Sequence, residues 1–134
     1  MRQEGHEIGN HSWDHPDLTK LGAAELQRQI ARTDAAIVNA VGERPVFVRP
    51  PYGAANQAVA KAAGRPLILW DSDTLDWRYR TEVSIVNRAR SGGIVLMHDI
   101  HKSTVRSATA VIRMFKQRGS RFVTLSRFFD SNCR

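Results

Sequence analysis

Val46-Phe-Val-Arg-Pro-Pro-Tyr-Gly53, answered further along by Leu67-Ile-Leu-Trp-Asp-Ser-Asp73, is the stretch that decides the fold. Each half opens on a short apolar run, residues 46–48 and 67–70, that reads as a buried strand and then breaks into polar or turn-forming residues. Between them, residues 56–63 read as a short helix that Gly64 stops. Strand, helix, strand, with the strands apolar at nearly every position, implies parallel strands covered by helices.

The alternation extends in both directions. Upstream, Leu26, Ile30, Ile37, Val38 and Val41 recur at helical spacing across residues 23–41, Gly42 follows as the stop, and residues 7–10 read as a first short strand. Downstream come a helix over 81–90, a strand over 94–97 behind Gly92 and Gly93, and a helix over 103–118 ended by Gly119. A last short strand over 122–124 and a closing helical turn over 125–129 complete the pattern. The expected class is α/β, an open parallel sheet or a (β/α) barrel.

A chain of 134 residues suits one domain and buries roughly two-thirds of its unfolded surface, enough for a real core. A 42% hydrophobic and 25% charged composition, without low-complexity tracts or repeats, excludes a disordered chain. The net charge of +7 suits an anionic partner, yet the arginines, among them Arg28, Arg32, Arg65, Arg88 and Arg113, are scattered. They read as outer helix faces rather than a nucleic-acid footprint. Cys133 is the only cysteine, which excludes an intramolecular disulfide. No run is long and apolar enough to span a membrane, and the first residues carry no apolar export signal.

Polar residues gather directly after each strand, and in parallel α/β folds the strands' C-terminal ends lie on one face, so these residues are expected to converge. After the first strand, Asn10-His-Ser-Trp-Asp-His-Pro16 places His11 and His15 at i, i+4. Two imidazoles at this spacing make half of a divalent-cation site that needs one or two more donors, although the spacing alone leaves a solvated pair equally open. Pro16 keeps His15 out of a continuing helix.

After the second strand, Arg49 can fix a carboxylate by a bidentate hydrogen bond, and the stiff Pro50-Pro51-Tyr52 path can aim a backbone N–H at an oxyanion. A rigid turn alone would also explain the prolines. After the third, Trp70-Asp-Ser-Asp-Thr-Leu-Asp-Trp77 offers three carboxylates and two indoles. Loop aspartates and core tryptophans are ordinary. An aspartate facing a histidine nevertheless sets its tautomer, and an exposed indole can floor a sugar ring. His98, ending the fourth strand, is placed either as a satisfied structural histidine or as a general acid. His6 and His101 read as surface residues.

In this order, His11-Ser-x-x-His15, Arg49-Pro-Pro-Tyr52, Asp73-Thr-Leu-Asp-Trp77 and Leu96-Met-His98 resemble the second to fifth motifs of the polysaccharide deacetylases of carbohydrate esterase family four, the NodB homology domain. The resemblance covers essentially the whole chain. It implies a distorted (β/α) barrel of parallel strands, here partial with its N-terminal strands missing, so that residues 1–134 are the C-terminal portion of one such domain. It also implies a metal-dependent hydrolase that removes N-acetyl groups from N-acetylglucosamine residues of peptidoglycan or chitin-like glycans. His11 and His15 would hold zinc or a similar divalent ion, Arg49 would orient the base carboxylate, and the Tyr52 N–H would help bind the oxyanion. Asp73 would tune His98 and His98 would act as general acid, while Tyr52, Trp77 and Leu96 would contact substrate.

The family's first motif, Thr-Phe-Asp-Asp, supplies the base and the third protein ligand, and this sequence contains no equivalent. Asp14 and Asp17 are nearby carboxylates that no motif places on the metal. The expectation is a hydrolase impaired in this form, with a glycan and not a nucleic acid as partner. The whole protein is expected to be exported or surface-attached, as family members usually are. Two rivals remain: a catalytically inactive carbohydrate-binding remnant and, from net charge alone, a basic nucleic-acid-binding protein.

Overall fold

The computed structural model describes residues 1–132, which fall into two compact units, the first spanning Met1–Leu69 and the second beginning at Trp70. Cys133 lies outside the described residues.

In the first unit, α1 (Ala23–Val41) ends at Gly42, whose left-handed φ of 78° returns its N–H to the Val38 carbonyl. Its buried positions, Leu26, Gln29, Ile30 and Asp34, follow helical spacing, so the inward stripe carries two polar residues. Val38, expected on that apolar face, is 39% exposed. The helix α2 (Gln57–Ala63) starts where the Asn56 side chain accepts the Val59 N–H at 3.0 Å. The core gathers Leu18, Leu26, Ile30, Val48, Val59 and Ala63. Each of the larger side chains contributes about 1.5–3 kcal/mol by leaving water.

Three parallel segments of this unit are joined by single bridges, Asn10 to Val48 and Val48 to Leu67. The pairing sense is the expected one, but the strands are shorter and not uniformly buried. Val48 and Ile68 are enclosed while Val46 and Leu69 are 51% and 45% exposed: Ile68 and Leu69 alternate as neighbours in a strand that buries one face, and Val46 lies before the bridged residue Val48 and outside the pairing.

In the second unit, β1 (Ser72–Asp73) and β2 (Val95–Leu96) pair in parallel with Ser72 opposite Val95. Around them stand α3 (Glu82–Arg88), capped by the Thr81 hydroxyl, α4 (Lys102–Gln117) and α5 (Leu125–Asn132). Ile85, Ala89, Val111 and Phe115 form the core, with Val95, Met97 and Met114 packed on it. Gly93 is required by a close approach: a Cβ there would collide with the Asp71 side chain, whose Oδ2 accepts the Ile94 N–H at 2.7 Å. The strand expected over 122–124 does not form. Phe122 and Val123 are 52% and 47% exposed and the chain runs directly into α5. Parallel pairing with helical cover makes this the α/β class that the sequence implies. Among the described residues no helix is long and apolar enough to cross a membrane.

Candidate active site

The histidine loop is built outward from a buried asparagine. Asn10 is 0% exposed; its Nδ2 donates to the Ile30 carbonyl at 2.9 Å and to Asp34 Oδ1 at 2.6 Å, and its Oδ1 accepts the Ser12 N–H at 2.9 Å. Asp34 is in turn gripped by Arg65, with one contact at 2.8 Å, and by Arg44 at 3.2 Å. Burial pushes the Asp34 carboxyl up, but the hydrogen bonds from Arg65, Asn10 and Arg44 outweigh it and hold the group below its ordinary value. Ser12 Oγ accepts the His15 N–H at 3.1 Å.

Ser12 and His15 both take left-handed backbone, with φ of 64° and 59°, a conformation that costs a non-glycine residue about 1–3 kcal/mol. The resulting fold-back sets the His11 and His15 rings edge to face with centroids 4.9 Å apart, and both residues are exposed. His11 Nδ1 lies 2.6 Å from the Arg49 carbonyl oxygen. Since a carbonyl only accepts, Nδ1 carries the proton and the ring's lone pair is on Nε2, the tautomer of an imidazole oriented for a metal. The donor chemistry fits part of a cation site. Among the described residues no group of three His, Cys, Asp or Glu side chains assembles one. Asp14 Oδ2 accepts from Gln29 Nε2 at 2.9 Å, and Asp17 Oδ1 caps its own turn by accepting the Thr19 N–H and hydroxyl at 3.1 and 2.6 Å.

Arg49 donates its backbone N–H to the Asn10 carbonyl at 2.8 Å, and its Nε is buried with no partner among the described residues. Burial lowers its pKa, and a carboxylate would answer both the N–H and the charge. Pro50 and Pro51 have no N–H, so the first amide donor after Arg49 belongs to Tyr52, held at φ 60°. The Tyr52 ring is 70% exposed and stands edge-on to His15 at 4.8 Å.

In the second unit the carboxylate that meets His98 is Asp76, not Asp73. Asp76 is 0% exposed and accepts three hydrogen bonds: from the His98 N–H at 2.6 Å, the His98 ring at 2.7 Å and the Thr104 hydroxyl at 2.7 Å. Burial pushes its carboxyl up, yet the His98 and Thr104 bonds prevail and keep it below the ordinary carboxylate value. An ionised Asp76 accepts only, so His98 Nδ1 bears a proton and Nε2 is the atom left for proton transfer, on a side chain 32% exposed. Asp73 instead accepts the Leu75 N–H at 2.8 Å and shapes the turn in which Leu75 adopts φ 51°. Trp77 is 47% exposed. Leu96 is 7% exposed in β2, with its carbonyl taking the Thr74 hydroxyl at 2.8 Å, so its side chain serves the interior. His6 is exposed and His101 half-buried at the start of α4.

Comparison with known proteins converges on one family. The family model described as polysaccharide deacetylase matches residues 1–66. The chain is 44% identical over 131 residues to the peptidoglycan-N-acetylglucosamine deacetylase PgdA of Listeria monocytogenes, covering 95% of this chain and 28% of that protein. It therefore spans well under a third of this curated relative. Among solved structures, the peptidoglycan deacetylase PdaC of Bacillus subtilis superimposes with a TM-score of 0.92 at 38% identity, over 97% of this chain and 66% of that one. The T48 deacetylase solved with substrate gives 0.92 at 39%, over 98% and 68%.

Proposed function

The chain belongs to the polysaccharide deacetylase family, and we propose that, as the C-terminal portion of one catalytic domain, it serves to remove N-acetyl groups from N-acetylglucosamine residues of peptidoglycan or a chitin-like glycan. The observation that carries this reading is the His11–His15 pair, with rings 4.9 Å apart and His11 fixed in its Nδ1–H tautomer by the Arg49 carbonyl. These two imidazoles would hold a divalent cation, for which zinc suits nitrogen donors best, and the remaining donors would be water and a carboxylate that the described residues do not supply. Such a cation, when bound, supplies Lewis acidity to the acetamide carbonyl and makes water more acidic.

The chain's own residues take the other roles. Asp76 keeps His98 Nδ1 protonated, so the proton at Nε2 passes to the departing amine as the C–N bond breaks, giving acetate and a free amine. The Arg49 guanidinium, buried without an acceptor at Nε, pairs with the base carboxylate. The Tyr52 N–H donates to the oxyanion, and Trp77 offers its exposed face to a pyranose ring. That relatives are named for acting on peptidoglycan supports a location at the cell surface for the whole protein.

The test joins this chain to a relative's segment bearing Thr-Phe-Asp-Asp and measures acetate release from N-acetylated chito-oligosaccharide or peptidoglycan. Release that a chelator stops and added zinc restores is the expected result. Glycan binding without acetate release, indifferent to chelator, would make this a sugar-binding domain instead.

A further inference from the structure

The geometry points to Gln29 as the positioning residue that sets the separation of the His11 and His15 imidazoles; its purpose rests on the metal reading above, its existence on the fold alone. Gln29 lies on the inward stripe of α1 and is 5% exposed. Its Oε1 accepts the Trp13 N–H at 2.9 Å and the Asp14 N–H at 3.0 Å, while its Nε2 donates to Asp14 Oδ2 at 2.9 Å and Glu25 Oε1 at 3.0 Å. A carboxamide has two lone pairs and two N–H donors, and here all four are used. The orientation is also fixed, because turning the amide over would set N–H against N–H and oxygen against carboxylate.

Trp13 and Asp14 are the two residues between Ser12 and His15, the pair held in left-handed backbone. One enclosed side chain thus grips the middle of the span that carries both imidazoles. One turn along α1, the Arg32 guanidinium lies 3.9 Å over the Trp13 indole and secures the side chain of the same loop residue. Gln29 also engages one oxygen of the Asp14 carboxylate, the acidic group next to His15 in sequence. A leucine at this stripe position would serve the core beside Leu26 and Ile30; the carboxamide serves the loop.

The experiment compares the full chain with Gln29→Met, which keeps the volume and loses every hydrogen bond, and Gln29→Glu, which keeps the acceptor and sets a carboxylate against Asp14 and Glu25. Ile30→Val is the control for a general loosening of the same helix. Cobalt(II) affinity by calorimetry should fall about tenfold or more in Gln29→Met, the size expected for a group that orients ligands, less in Gln29→Glu, and not in Ile30→Val. In the metal-free protein, nuclear Overhauser cross-peaks between the His11 and His15 rings should disappear in Gln29→Met, and the Trp13 and Asp14 amides should exchange faster. Cross-peaks and slow exchange that persist in Gln29→Met, or an affinity loss matched by Ile30→Val, would overturn the assignment. If the unmodified chain takes up no cobalt, the metal reading fails, and the metal-free spectra alone decide for or against Gln29.

Discussion

Replacing Asp76 with asparagine is the most informative single change in the second unit. The carboxylate is fully enclosed and receives three donors, two from His98 and one from Thr104. Asparagine keeps the shape and one acceptor oxygen but puts an N–H₂ where the other oxygen stood. The Thr104 hydroxyl can rotate to accept from it, and the His98 ring can accept only by moving its Nδ1 proton to Nε2, whereas the His98 backbone N–H cannot accept at all. Hydrogen bonds to a charged group are worth about 1.5–3 kcal/mol each, so trading the carboxylate for an amide beneath three of them is expected to cost about 3 kcal/mol in all. For a chain of this length that corresponds to a fall in Tm of about 10 °C.

The chemical consequence is separate from the stability one. Without an anion at Nδ1 the His98 ring is no longer obliged to protonate there, and turnover in a completed enzyme should drop by about 10³–10⁴, as when an aspartate behind a catalytic histidine becomes an amide. Circular dichroism melts report the first effect and the ring nitrogen shifts of His98 report the second. Asp73→Asn is the matched comparison, since Asp73 accepts one backbone N–H that an amide oxygen can accept as well. An unchanged Tm and tautomer in Asp76→Asn, or the same losses in Asp73→Asn, would refute this reasoning.

Other outcomes follow from the same geometry. Asp34 and Asp76 both have carboxyls held below 3.8, so as the pH falls past that value the unfolded chain takes up protons before the folded one does, and the stability these groups contribute is lost. Urea midpoints at about pH 5 and about pH 3 should differ, and equal midpoints would contradict the shifts. The isolated chain, which contains no Thr-Phe-Asp-Asp, should release little or no acetate from chito-oligosaccharide with added zinc. Turnover that is present in it and abolished by His11→Ala would show that the missing carboxylates are not needed. In the version completed upstream, His98→Ala should lower kcat with little change in KM, because the proton is delivered in the transition state; an unchanged kcat removes His98 from the mechanism.

The helices were legible because their signals are local: the period of Leu26 and Ile30, the stops at Gly42 and Gly64, and the side chains of Asn56 and Thr81 that begin α2 and α3. The run at 122–124 is as apolar as the true strands but finds no ladder among the described residues, and pairing is not a local property. The four motifs marked the loops that carry His11, His15, Arg49, Asp76 and His98, yet spacing does not say which of Asp73 and Asp76 turns inward. The left-handed backbone at Leu75 settles that, and a leucine gives no warning of such a conformation. Gln29 and Asp34 did leave a signal, two polar residues in phase with an apolar stripe, which is where a buried hydrogen-bond network announces itself in a helix.

The most direct test of the metal reading is a zinc titration of the chain followed by the ring nitrogens of its histidines. Weak uptake of one equivalent is expected, with the His11 and His15 rings shifting together and either alanine substitution abolishing the response. Zinc that leaves both rings unmoved, or that moves only His6 or His101, would contradict the metal reading.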